Sequence, residues 1–169
     1  MPKFTNPAAA QTHSSGLLRR AMSAWRVLHA VLDSLQPAAA LLARGYVAEV
    51  FFKSGLTKLR DWDTTLALFQ DEYKVPLLPP DVAAVLGTGG ELVLPVLLLL
   101  GLGGSLSALG LSVVNGVAVL ALAEIAPAAL QQHITWGVLL AGVAVFGNGR
   151  WSLDTWLLRR WPTLGNTPD

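Results

Sequence analysis

Four blocks of apolar residues dominate the chain, each about 20 residues long, the length a helix needs to cross roughly 30 Å of hydrocarbon. They predict spans over residues 37–58, 81–102, 105–125 and 128–147. Punctuation agrees with these limits. Pro37 suits a first helical turn. Pro79-Pro80-Asp81 reads as a stop followed by an N-cap, and Pro127 does similar work before the last span. Gly101, Gly103 and Gly104 leave room only for a tight turn, so spans two and three form an antiparallel pair.

Outside the blocks the period changes. Leu18, Met22, Trp25, Leu28 and Leu32 recur at helical spacing, with Arg19 and Arg26 on the other side, as in a helix lying in the membrane interface or an ordinary surface helix. Residues 1–15 are polar and read as a loose tail. Within 59–80, Leu66, Phe69 and Tyr73 have helical spacing and Asp63 is placed to cap that turn. The predicted fold is therefore all-α: an integral membrane four-helix transmembrane bundle with amphipathic interfacial helices at the N-terminus and after span one. Its parts are a cytoplasmic tail and amphipathic helix (1–33), a four-span membrane domain (34–158) and a C-terminal cytoplasmic tail (159–169). No internal repeat is evident, and the charges at Arg19, Arg20 and Arg26 do not suit a cleaved signal.

Composition sharpens this reading. The chain is 53% hydrophobic and 14% charged, against about 25% charged in soluble domains. Mean hydropathy is +0.50. A net charge of +1 gives no support for nucleic-acid binding. With no cysteine, the chain offers no disulfide, thiolate metal site or dithiol relay. Arg19, Arg20, Arg26, Arg150, Arg159 and Arg160 fall on the side of the two termini, and Lys58, Arg60 and Lys74 on the other. That bias predicts cytoplasmic termini in a bacterial inner membrane, with the 59–80 connection outside.

The chemistry lies in charges where lipid is expected. Each charge at the centre of a span costs about 2.5–3.5 kcal/mol. Glu49 and Lys53 stand four apart in the favourable order for an ion pair. With Gly45 and Thr57 they form a stripe expected to pack against other helices. Glu91 lies about ten residues into span two, so about 15 Å deep. Pro95 has no N–H, which frees the carbonyl of Glu91 and makes Lys53 and Asn115 its candidate donors. Ala108, Ser112 and Gly116 form a small-residue face for close packing beside Asn115. His133 is expected to face inward, near the outer side, as a hydrogen-bonded structural group or a metal or haem ligand. Trp62, Trp136, Trp151, Trp156 and Trp161 read as an interfacial belt. No phosphate-binding loop, hydrolase elbow, zinc-protease motif or dinucleotide fingerprint is present.

Three stretches resemble the DoxX family of small bacterial membrane proteins: "RGYVAEVFFKSGLTKLRDWDTTLALFQDEYKVPLLPP", "ELVLPVLLLLGL" and "GNGRWSLDTWL". The shared pattern is Arg44, the aromatic run Phe51-Phe52, Ser54-Gly55 and Lys58, then Glu91, then Gly147 to Asp154. The resemblance covers residues 38–158. It implies a four-helix inner-membrane protein linked to membrane redox complexes. The family takes its name from a relative of a thiosulfate:quinone oxidoreductase subunit. The "DWDTTL" and "VPLLPP" version resembles members encoded beside enzymes that modify copper-binding peptides, which suggests metal or oxidative stress.

Three functional expectations follow. The first is a quinone-sized polar site within the bundle, drawn from Arg44, Glu49, Lys53, Lys58, Glu91, Asn115 and His133, in a redox or stress-response system; a quinone is the cofactor this admits, and a redox or metal-handling protein the partner. The second is a scaffold that docks a soluble partner. The third is a small transporter or channel, which at this size needs to oligomerise. Against all three stands the reading of the same polar groups as glue that fixes helix register.

Overall fold

The computed structural model describes residues 7–103 and 105–161, with side chains from residue 18 onward. The described residues are helical, with no strand. Six helices follow in order: α1 (Pro7–Arg60), α2 (Trp62–Asp71), α3 (Pro80–Leu100), α4 (Ser105–Ala121), α5 (Pro127–Phe146) and α6 (Leu153–Arg160). Residues 1–6 and 162–169, which belong to the two expected tails, and Gly104 of the expected turn lie outside the described residues.

The chain divides into two compact units, Met1–Gln36 and Pro37–Asp169. In the first, helix begins at Pro7, so most of the expected loose tail is helical: proline suits the first turn and Ala8–Ala10 are strong helix formers. Leu18, Met22, Trp25, Leu28, Leu32 and Leu35 of this unit are all exposed. Pro37 does not start a helix as its spacing suggested. It stands inside α1, where its missing N–H costs the carbonyl of Asp33 one bond without ending the helix.

In the second unit the C-terminal half of α1 packs with α3, α4 and α5. Gly55 lies against Leu92 and Glu91, and Gly45 against Leu99, so α1 and α3 run antiparallel. Gly90 meets Val114 and Gly110 meets Leu94, which pairs α3 with α4. Ser105 Oγ donates to the carbonyl of Ala144 (2.5 Å) near one end of the α4–α5 pair, and Asn115 bonds His133 toward the other. Phe51 and Trp136 close the ring between α1 and α5, with centroids 5.7 Å apart. The core is Val47, Phe51, Leu98, Ala108, Leu111, Leu140 and Val143.

The expected small-residue face is half right. Ala108 is buried, but Gly116 is exposed with open space beside it. The close approaches come at Gly55, Gly90 and Gly110, because there a facing leucine or valine fills the room a side chain would take.

The connections explain how the ends are fixed. Asp61, not Asp63, caps α2: its side chain accepts from the Thr64 amide (3.0 Å), and Asp63 falls in the first turn. Bonds from the Thr64 hydroxyl and amide hold the Asp61 carboxyl below its usual range. Thr65 Oγ1 bonds the carbonyls of Lys58 and Asp61 (2.9 Å each), which folds α2 back on the end of α1. Phe69 of α2 packs on Ala83 and Ala84 of α3. α3 starts at Pro80 with no side-chain cap, so Asp81 is a first-turn residue rather than the cap. It ends at Gly101, whose φ of 67° is the left-handed cap that glycine favours. α4 stops at Ala121, four residues before the expected end at 125, and the Lys74 amide binds the Ala121 carbonyl there (2.8 Å).

Candidate functional site

Lys58 and Glu91 form the centre of the site. The Lys58 ammonium lies 2.8 and 2.6 Å from the two Glu91 carboxylate oxygens and 3.0 Å from Ser54 Oγ. The two charged side chains are only 20% and 10% exposed, so the pair is largely withdrawn from solvent. Ser54 and Lys58 are one turn apart on α1, and Gly55 between them brings the backbone of α1 against Glu91. A helical side chain points toward the N-terminus of its helix, which turns Lys58 back into the bundle.

This arrangement corrects the expected partners. Lys53 does not reach Glu91. It pairs with Glu49 at 2.6 Å on an outward face, with side chains 72% and 62% exposed, so at these two positions the stripe is not packed against other helices of the chain. An i,i+4 pair satisfies itself locally and needs no neighbouring helix. Asn115 does not serve the Glu91 carbonyl either. Its Nδ2 donates to the backbone oxygen of His133 (2.9 Å) and its Oδ1 lies 2.8 Å from His133 Nδ1. Gly137, one turn beyond His133, leaves room for that amide: an added Cβ would sit 3.4 Å from Asn115 Nδ2.

Arg44 belongs to a different place. It is fully buried and its Nη2 donates to the carbonyl of Trp151 (2.5 Å). Along α1 it is about 20 Å from Lys58 at 1.5 Å per residue. A Cβ on Gly101 would collide with the Arg44 side chain and Ser152, so this glycine answers to both a positive φ and a close approach. The Asp154 amide donates to the Gly101 carbonyl (3.2 Å), and Asp154 Oδ1 accepts from the Gly103 amide (3.2 Å). The 147–154 motif thus docks the start of α6 on the α3–α4 turn, with Arg44 as its plug. Arg44 Nε and Nη1 have no partner among the described residues.

Between α1, α3, α4 and α5 lies a cavity of about 420 Å³. Its lining is mainly apolar, from Val50, Phe51, Phe69, Leu86 and Val114 among others, and its polar groups are Ser54, Lys58, Glu91, His133, Tyr73 and the indole N–H of Trp136, which has no partner among the described residues. The Tyr73 phenol is held above its usual range by burial, with the charges of Glu72 and Glu91 adding to the effect. His133 and Trp136 meet edge to face at 4.9 Å. Trp136 therefore sits in the bundle beside the cavity rather than in an interfacial belt, because Phe51 and His133 supply a packed aromatic surface for it. Among the described residues no three metal-ligating side chains come together.

Of the expected site residues, the structure unites Lys58, Glu91 and His133 around one cavity, with Asn115 behind His133. It separates Arg44, Glu49 and Lys53 from them. Sequence reasoning missed Ser54, Tyr73 and Trp136. Ser54 carries the one legible signal, since it stands one helical turn before Lys58.

These features define the class: an all-helical membrane protein. Two of its helices, α3 and α5, are long and apolar enough to cross a bilayer, and the apolar α4 has 17 residues. The family model described as DoxX matches residues 39–124. The chain is also 30% identical over 132 residues to an uncharacterized protein of Haemophilus influenzae, a match covering 73% of this chain and 85% of that protein. No solved structure matches. The chain belongs to the DoxX family.

Proposed function

We propose that the protein is a four-span inner-membrane protein, with both termini cytoplasmic, that binds a lipophilic ligand of the quinone class for a membrane-associated redox or stress-response system. The observation that carries this is the cavity of about 420 Å³, apolar through most of its wall and polar at Lys58, Glu91, Ser54 and His133. Ligand sites commonly combine an apolar cleft with a few convergent polar groups that fix orientation. A ring with polar oxygens and an apolar tail meets that division. The redox setting rests on family resemblance.

Titration of the protein in lipid nanodiscs with a decyl-substituted hydroquinone, kept reduced, tests the reading through the change in tryptophan fluorescence, with empty nanodiscs as the control for partitioning. Saturable binding is expected, weakened about tenfold or more in Glu91→Gln and unchanged in Glu49→Gln. Absence of saturable binding in the wild type removes the proposal.

A second reading is favoured by the exposed apolar row Leu18, Met22, Trp25, Leu28, Leu32 and Leu35: a scaffold whose N-terminal unit docks a soluble partner. A partner retained by the full chain and lost without residues 1–33 supports it.

A further inference from the structure

The hydrogen bonds of Asn115 determine what His133 can offer. A backbone carbonyl only accepts, so the atom facing the His133 oxygen at 2.9 Å must be the Asn115 amide nitrogen. The other end of that amide, Oδ1, then faces His133 Nδ1 at 2.8 Å and can only accept. Nδ1 must carry the proton. In the neutral ring this leaves Nε2 as a lone pair with no proton of its own. No hydrogen bond to Nε2 occurs among the described residues, and His133 lines the cavity.

The other polar groups of the cavity are disposed differently. All three donors of the Lys58 ammonium are occupied, by Glu91 Oε1, Glu91 Oε2 and Ser54 Oγ. Ser54 accepts from Lys58 and keeps its own proton, and the Tyr73 hydroxyl can act either way. The buried indole N–H of Trp136, another lining residue, has no partner among the described residues. The cavity therefore contains hydroxyls and an indole N–H that can serve an acceptor, and one imidazole nitrogen that requires a donor. A ligand oxygen that only accepts would cover Nε2 without pairing it, and a polar atom buried unpaired is costly.

We infer that this cavity selects a head group bearing a hydroxyl, a phenol or hydroquinone rather than a dione, with His133 Nε2 as the acceptor and Asn115 as the positioning residue that fixes its tautomer. This rests on the reading of the cavity as a lipophilic ligand site. The hydroxyl oxygen accepts from Ser54 or Tyr73 while its hydrogen satisfies Nε2, so one atom answers both demands.

A matched pair of probes isolates the hydrogen atom: 4-nonylphenol and its methyl ether, 4-nonylanisole, which have nearly the same shape and tail. Each is titrated against the full chain in lipid nanodiscs, with empty nanodiscs correcting for partitioning. The phenol is expected to bind at least tenfold more tightly than the ether. His133→Phe reduces that preference to less than about threefold, whereas His133→Gln, whose side-chain oxygen also accepts, retains part of it. Asn115→Leu lowers the preference, because the ring is then free to put its proton on Nε2. Equal saturable binding of phenol and ether by the wild type overturns the inference and leaves the lipophilic site standing. Saturable binding of neither probe overturns both.

Discussion

At the scale of residues, four acids and bases of the expected site divide by where their partners lie. Glu49 and Lys53 find each other on one helix turn and stay exposed. Lys58 and Glu91 find each other across two helices and are largely buried. The second kind is the consequential one. Removing one member of a buried pair leaves an uncompensated charge and costs about 3–5 kcal/mol, while replacing both with apolar residues is often nearly neutral. Lys58→Met is expected to be destabilised by that amount in detergent melts, and the double variant Lys58→Met with Glu91→Leu to recover most of it. Additive losses in the double variant would mean that the two side chains are not coupled. The corresponding change at Lys53 is expected to shift the melt little, since both of its pair's side chains face outward.

At the scale of elements, the α1–α3 contact sets the geometry of the site. A Cβ at Gly55 would stand 2.8 Å from Leu92 Cγ and 3.1 Å from Glu91 Cβ, so even one added methyl pushes against the helix that carries the carboxylate. Gly55→Val is expected to cost about 1–3 kcal/mol by overpacking, and to weaken ligand binding by moving Lys58 away from Glu91. Gly116 is the control: nothing lies within 4 Å of its added Cβ, so Gly116→Ala is expected to be neutral or stabilising by about 0.5–1 kcal/mol. Thermal melts of the two variants side by side check the contrast. A destabilised Gly116→Ala with an unaffected Gly55→Val would reverse the assignment of the packed face.

At the scale of the whole molecule, the functional proposal depends on which side of the membrane each end of the bundle occupies. The antiparallel order of α1, α3, α4 and α5 places the 61–79 connection at the end of the bundle that holds Lys58 and His133. Arg44 and the 147–154 motif are at the other. The basic residues Arg150, Arg159 and Arg160 follow α5, and the positive-inside rule predicts a cytoplasmic side for them. Reporter fusions after residue 169 and within residues 64–74 are expected to report opposite sides. The same side for both would remove the four-span arrangement and place the cavity mouth elsewhere.

By itself the sequence determined the helical class and three of the helix positions closely: 81–102, 105–125 and 128–147 became Pro80–Leu100, Ser105–Ala121 and Pro127–Phe146. These are local matters of apolar length, proline and glycine, which one stretch of chain decides alone. It also singled out Lys58, Glu91, Asn115 and His133 as residues out of place in lipid. Their partners were not legible, because depth along a helix says nothing about rotation toward a neighbour or about the reach of a side chain. Lys53 and Lys58 have the same chemistry five residues apart, and only the packing of Gly55 on Leu92 decides that the second meets Glu91. Asn115 reads in the sequence as a candidate donor to the Glu91 carbonyl, whereas α5 brings the His133 carbonyl to its amide nitrogen. Arg44 joined the intramembrane group on paper, yet the fold of 147–154 back onto Gly101 put it in a separate plug. The tertiary structure decided each of these, because a polar group in a low-dielectric bundle takes the first complementary partner within hydrogen-bond reach, and that reach is set by helices distant in sequence.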